Sequence, residues 1–78
     1  MQKKTTGQQV KAAREALDWT QEQLVSAMAA HGEPVTKPFI SLLENDLRQP
    51  SVATAGALSA VLGISLDDLL AQHTVPTP

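Results

Sequence analysis

The 78-residue chain has room for one domain, and its larger apolar side chains suffice for one small core only. A hydrophobic fraction of 42% with 18% charged residues excludes a disordered or collagenous chain, and zero cysteines exclude a disulfide scaffold, a thiolate metal site and a cysteine nucleophile. The formal net charge of −2 hides a polarity: residues 1–14 carry Lys3, Lys4, Lys11 and Arg14 with no acid, while Asp67 and Asp68 are the only charges from residue 49 onward, so a basic face fits an acidic total.

In chain order, residues 1–6 read as a basic, flexible arm, with a plain solvated tail as the bland alternative for Lys3 and Lys4. Thr6-Gly7-Gln8-Gln9 has the form of a capping box, with Thr6 as N-cap and Gln9 bonding back to its N–H. Val10, Ala13, Arg14 and Leu17 follow at helical spacing and predict a first amphipathic helix that ends at Asp18-Trp19. Thr20-Gln21-Glu22-Gln23 is a second capping box, and Leu24, Ala27 and Met28 mark the inward face of the helix behind it. Gly32 suits the left-handed residue after that helix, and Glu33-Pro34 bars its continuation. Thr36 opens a third helix with Pro38 in the first turn, where no intrahelical N–H is needed, and with Ile40 and Leu43 inward. Ser51 caps a fourth, with Val52, Ala55, Leu58, Val61 and Leu62 inward and Gly63 as its stop. Ser65 caps a short fifth helix holding Leu66, Leu69 and Leu70, in which Asp67 and Asp68 complement the helix dipole. Residues 72–78 read as a flexible tail, and no segment alternates as a strand would. The expected fold class is all-α.

Helices two and three are short, adjacent and joined by a brief connection, as in a helix-turn-helix. Four stretches sharpen that pattern: Trp19-Thr20-Gln21-Glu22-Gln23-Leu24, Ile40-Ser41-Leu42-Leu43-Glu44-Asn45, Gln49-Pro50-Ser51, and the close from Leu62-Gly63-Ile64 through Leu70. In this order and spacing they resemble the lambda-repressor-like (Cro/Xre-type) DNA-binding domain over about residues 7–71. The resemblance implies a compact five-helix domain whose second and third helices form the helix-turn-helix. It also implies a sequence-specific, double-stranded-DNA-binding transcriptional regulator, a repressor acting as a homodimer on an inverted repeat.

Residue by residue, Gln21 matches a phosphate-contacting glutamine at the start of helix two, where the helix dipole also favours an anion. Arg14 and Glu44 match a buried salt bridge between helix one and the recognition helix, and Asn45 matches a contact to the DNA backbone. Lys37, Pro38, Ser41 and Leu42 occupy the positions that face base edges in the major groove. Lys3, Lys4, Lys11 and Arg48 are further phosphate candidates, with Lys37 eligible for either role, and Ile64, Leu66 and Leu70 are candidates for a dimer contact.

The chain departs from the family pattern at three places. The connection between helices two and three is roughly five residues longer, by extension of helix two or of the loop. Asp46 stands where a glycine is frequent, and Pro38, Phe39 and Leu42 make the recognition face apolar. That last departure supports an alternative, a helix-turn-helix fold used as a protein-interaction module of antitoxin or antirepressor type, with these residues as its anchor. An enzyme is not expected: no nucleophile–base pair, metal-ligand cluster or Gly-rich phosphate loop is visible, and His31 and His73 lack a second ligand at metal-site spacing. No cofactor is implied. With no apolar run near the roughly 18 residues of a membrane span and no signal-peptide pattern, a cytoplasmic protein without membrane contact is expected.

Overall fold

Side-chain caps set where the helices begin. The computed structural model describes residues 4–70, apart from the side chain of Leu70. It contains α1 (Thr6–Ala16), α2 (Gln21–His31), α3 (Lys37–Glu44), α4 (Val52–Leu62) and α5 (Leu66–Leu70), with no strand among the described residues. Lys3, His73 and the tail at residues 72–78 lie outside them. Thr20, Thr36 and Ser51 each accept the backbone N–H three residues on, and Thr20 with Gln23 forms the reciprocal box.

At α1 the frame differs by one residue from the sequence expectation. Thr5, not Thr6, is the N-cap, and its box partner is Gln8: Gln8 N–H donates to Thr5 Oγ1 at 3.1 Å and Thr5 N–H to Gln8 Oε1 at 2.9 Å. Thr5-Thr6-Gly7-Gln8-Gln9 offers two identical boxes one residue apart, so local chemistry does not choose between them. A distant contact does. Thr6 is buried and donates its hydroxyl to the Leu69 carbonyl at 3.1 Å, while Gln9 Nε2 donates to the carbonyls of Lys4 and Asp68. Thr5 and Thr6 therefore belong to the start of α1, and α1 is docked on α5.

Left-handed residues end the first four helices: Asp18 (φ 61°), Gly32 (φ 97°), Asp46 (φ 60°) and Gly63 (φ 72°). After α1, α2 and α3 the closure is a Schellman turn. Trp19 N–H reaches Arg14 O, Glu33 N–H reaches Met28 O, and Leu47 N–H reaches Leu42 O, each beside a bond of shorter sequence span from the left-handed residue. Helix α2 runs 11 residues, and Glu33 to Thr36 cross to α3, with Val35 packed on the core and Glu33 Oε2 accepting from the buried Thr54 hydroxyl at 3.2 Å.

Val10, Leu24, Met28, Ile40, Leu43, Leu58 and Leu69 are fully buried, so all five helices contribute to one core. Two residues expected inward are not. Leu17 is 44% exposed because the chain reverses at Asp18 and Trp19 packs against the core beyond it. Val52 is 71% exposed because α4, apolar around most of its circumference, turns Ala55, Ala57, Leu58 and Leu62 inward and leaves its first residue outside.

Candidate nucleic-acid interface

Helix α3 is held at its C-terminal end by two separate devices. The first is an ionic clamp. Arg14, on α1, donates from Nε to Glu44 Oε2 at 2.7 Å and from Nη2 to Glu44 Oε1 at 3.1 Å, with both side chains nearly enclosed. Arg14 Nη1 also donates to Trp19 O at 2.6 Å, and Gln21 Nε2 donates to Glu44 Oε1 at 3.1 Å. One carboxylate thus gathers α1, the start of α2 and the end of α3. The bidentate fork uses the planar geometry that only arginine offers. The Glu44 hydrogen bond holds the Arg14 guanidinium above its ordinary pKa, against the opposing effect of burial.

The second device is the residue at the frequent glycine position. Asp46 tolerates the left-handed turn after α3 and directs its carboxylate to the N-terminus of α1. There Oδ2 accepts from Thr5 Oγ1 at 2.6 Å and Oδ1 from Gly7 N–H at 3.0 Å. The positive end of the α1 dipole favours an anion there, which offsets the cost of a non-glycine residue at φ 60°. Gly7 is required by closeness: a Cβ on it would lie 2.4 Å from Leu43 O and 2.8 Å from both Glu44 O and Asp46 Oδ1. Sequence reasoning did not assign Thr5, Gly7 and Asp46 to the site. The available signals were a glycine inside a helical first turn and an aspartate in place of glycine.

The outward side of α3 carries the base-facing candidates. Pro38 and Leu42 are exposed, Leu42 at 39%, while Ser41 is half-buried and Phe39 packs against the core edge. Lys37 is exposed but engaged: its Nζ donates to Glu22 Oε2, on α2, at 2.7 Å. Asn45 Nδ2 donates to Ser41 O at 2.8 Å, which closes the last turn of α3. Of the phosphate candidates, Lys4, Lys11 and Arg48 are exposed and make no ion pair among the described residues. Lys4 and Arg48 flank the Thr5–Asp46 bond in sequence, which brings Lys4 to the C-terminal end of α3. Gln21 is half-buried, with one amide hydrogen committed to Glu44.

The remaining candidates lie elsewhere. Ile64 and Leu66 are half-buried against the core, and Ser59 donates its hydroxyl to Ile64 O, while the Leu70 side chain lies outside the described set. A shallow open groove beside Ile64 is lined by Lys4, Gln9, Ala13, Gly63 and Asp68 among others. Among the described residues no cluster of three or more His or acidic side chains is arranged to hold a metal ion, and no helix is long and apolar enough to cross a membrane.

A family profile described as helix-turn-helix matches residues 10–69, and the chain belongs to that family, the Cro/Xre-type or lambda-repressor-like one. Comparison with curated proteins and with solved structures gives no match. Helices α2 and α3 are the helix-turn-helix, and the class is that of DNA-binding regulatory domains.

Proposed function

We propose that the protein is a transcriptional repressor that binds an inverted repeat in double-stranded DNA as a dimer, with α3 of each copy in successive major grooves. The supporting observation is the double fixation of α3: Glu44 and Asp46 anchor its C-terminal end while Lys37, Pro38 and Leu42 stay on the outside. A recognition helix must be rigid on its inner side and free on its outer side, because base readout tolerates little misplacement. In this reading Lys37, Pro38, Ser41 and Leu42 face bases, Lys3, Lys4, Lys11, Gln21, Asn45 and Arg48 meet phosphates, and Lys37 is eligible for a phosphate as well. Ile64, Leu66 and Leu70 serve the two-fold contact.

Selection of bound sequences from a random duplex pool, at two salt concentrations, tests the proposal. Enrichment of a palindrome is the expected result; weak binding that enriches nothing and collapses with salt overturns it. One observation favours a second reading, in which the same face docks a protein. Leu42 and Leu47, 39% and 71% exposed, are drawn together by the Leu47 N–H bond to Leu42 O. In that case Leu42→Ala spares DNA binding and abolishes a protein contact.

A further inference from the structure

The ion pair between α2 and α3 has no part in holding the core, yet it sits where the DNA-binding reading needs a free cation. Glu22 lies in the first turn of α2, with its carboxylate 2.7 Å from Lys37 Nζ. Both side chains are more than half exposed, at 65% for Glu22 and 55% for Lys37. The Lys37 hydrogen bond and charge hold the Glu22 carboxyl below its ordinary pKa. A lysine ammonium on the outward side of α3 is a group that would otherwise receive a phosphate oxygen. The carboxylate of Glu22 therefore takes the bond that Lys37 would give a phosphate, and it neutralises the one charged side chain on the outward side of α3.

We infer that Glu22 is a built-in brake on DNA affinity: its carboxylate holds and neutralises Lys37 on the outward side of α3, so that DNA must displace it to use that cation. The inference rests on the reading of α2 and α3 as the DNA-facing unit and adds to it a residue that sets how tightly the unit binds. Exposed pairs of this kind contribute little to folding, so the brake is separable from the fold.

A random-sequence 20-base-pair duplex is a sufficient probe, because the effect is electrostatic and independent of any operator. Titration of the full chain at several salt concentrations compares wild type, Glu22→Gln, Lys37→Ala and the double variant. Freeing Lys37 to neutralise one phosphate adds about 0.9 to the magnitude of the log–log salt slope, a gain in affinity of roughly five- to tenfold per subunit at about 0.1 M salt. Glu22→Gln is expected to show both changes. Lys37→Ala in the Glu22→Gln background should remove the gain and restore the shallower slope, whereas Lys37→Ala alone should weaken binding. All variants should melt within a few degrees of wild type. If wild type binds the duplex and Glu22→Gln binds no tighter with an unchanged slope, the brake is disproved and the DNA-binding reading stands. If neither protein binds at low salt, the DNA-binding reading fails and the brake falls with it.

Discussion

The two ends of α3 carry the same chemistry to opposite effect. At the C-terminal end Arg14 meets Glu44 at 2.7 Å with side chains 11% and 3% exposed; at the N-terminal end Lys37 meets Glu22 at the same 2.7 Å with side chains 55% and 65% exposed. Distance does not separate them. Solvent and geometry do: the inner pair is bidentate, reinforced by Gln21 and Trp19 O, and isolated from water that would rescue either partner alone. The outer pair is a single contact between two long side chains in a screened setting. One pair is fastened to the fold, and the other remains exchangeable for an external anion.

The inner pair should give the largest response. Arg14→Ala or Glu44→Ala strands a buried charge and should cost about 3–5 kcal/mol, a large part of the stability of a domain this small. Thermal denaturation followed by circular dichroism should show a loss of roughly 12 °C or more in Tm, or no cooperative transition. The double variant Arg14→Met/Glu44→Leu should recover much of that loss, since an apolar pair removes the stranded charge. Single variants that melt within two degrees of wild type would erase the contrast between the two ends.

Next in size is the close approach that supports the same end of α3. Gly7→Ala places a Cβ against the carbonyls of Leu43 and Glu44, and backbone cannot yield as a flexible side chain can. A destabilisation of about 1–3 kcal/mol is expected, read as a lower urea midpoint at an unchanged m-value. A neutral Gly7→Ala would show that α1 and α3 separate without cost and that the Asp46 bonds do not hold the recognition helix.

Leu42, between the two ends, sharpens the functional side of the comparison. If it touches a thymine methyl, Leu42→Ala should relax preference at one thymine-favouring position by roughly 1 kcal/mol, the transfer value of about one buried methylene or methyl group. The salt slope should stay unchanged, which separates an apolar contact from a phosphate contact. Competition binding with single-base operator variants checks both.

The smallest effect on stability belongs to the outer pair, and its pH dependence has a definite sign. Lys37 holds the Glu22 carboxyl below its unfolded value of 4.5, so the pair's contribution is fully present above that pH and lost as pH falls through the folded value. Wild type and Glu22→Gln should therefore differ slightly near neutrality and converge in acid. Melting curves recorded from pH 7 to pH 3 that stay parallel would contradict the pairing.

Local chemistry made most of the fold legible. Caps act across three residues, and the side chains that make them stand side by side in the chain. Thr20 with Gln23, Thr36, Ser51, Gly32 and Gly63 therefore announce boundaries that the structure reproduces. The candidate site was legible in a different way. Arg14 and Glu44 stand 30 positions apart, and only the family resemblance suggested that they meet; their separation in the structure is a hydrogen-bond distance. The same resemblance placed Lys37 outward but gave no sign that Glu22 would hold it.

What the amino-acid sequence by itself determined was the number and order of the helices, the caps of α2, α3 and α4 and most of the apolar stripe on each helix, because these follow from neighbours three or four residues away. The tertiary structure alone decided four things. Thr5 rather than Thr6 caps α1, because Leu69 O claims the Thr6 hydroxyl. Val52 faces outward, because α4 has no single apolar side from which to choose. Asp46 serves as a second anchor, because Thr5 and Gly7 lie about 40 residues earlier in the chain. Glu22 faces Lys37, because the crossing of α2 and α3 brings their first turns together. Each of these depends on partners that only folding makes adjacent, and none leaves a periodic or short-range trace for sequence reasoning to find.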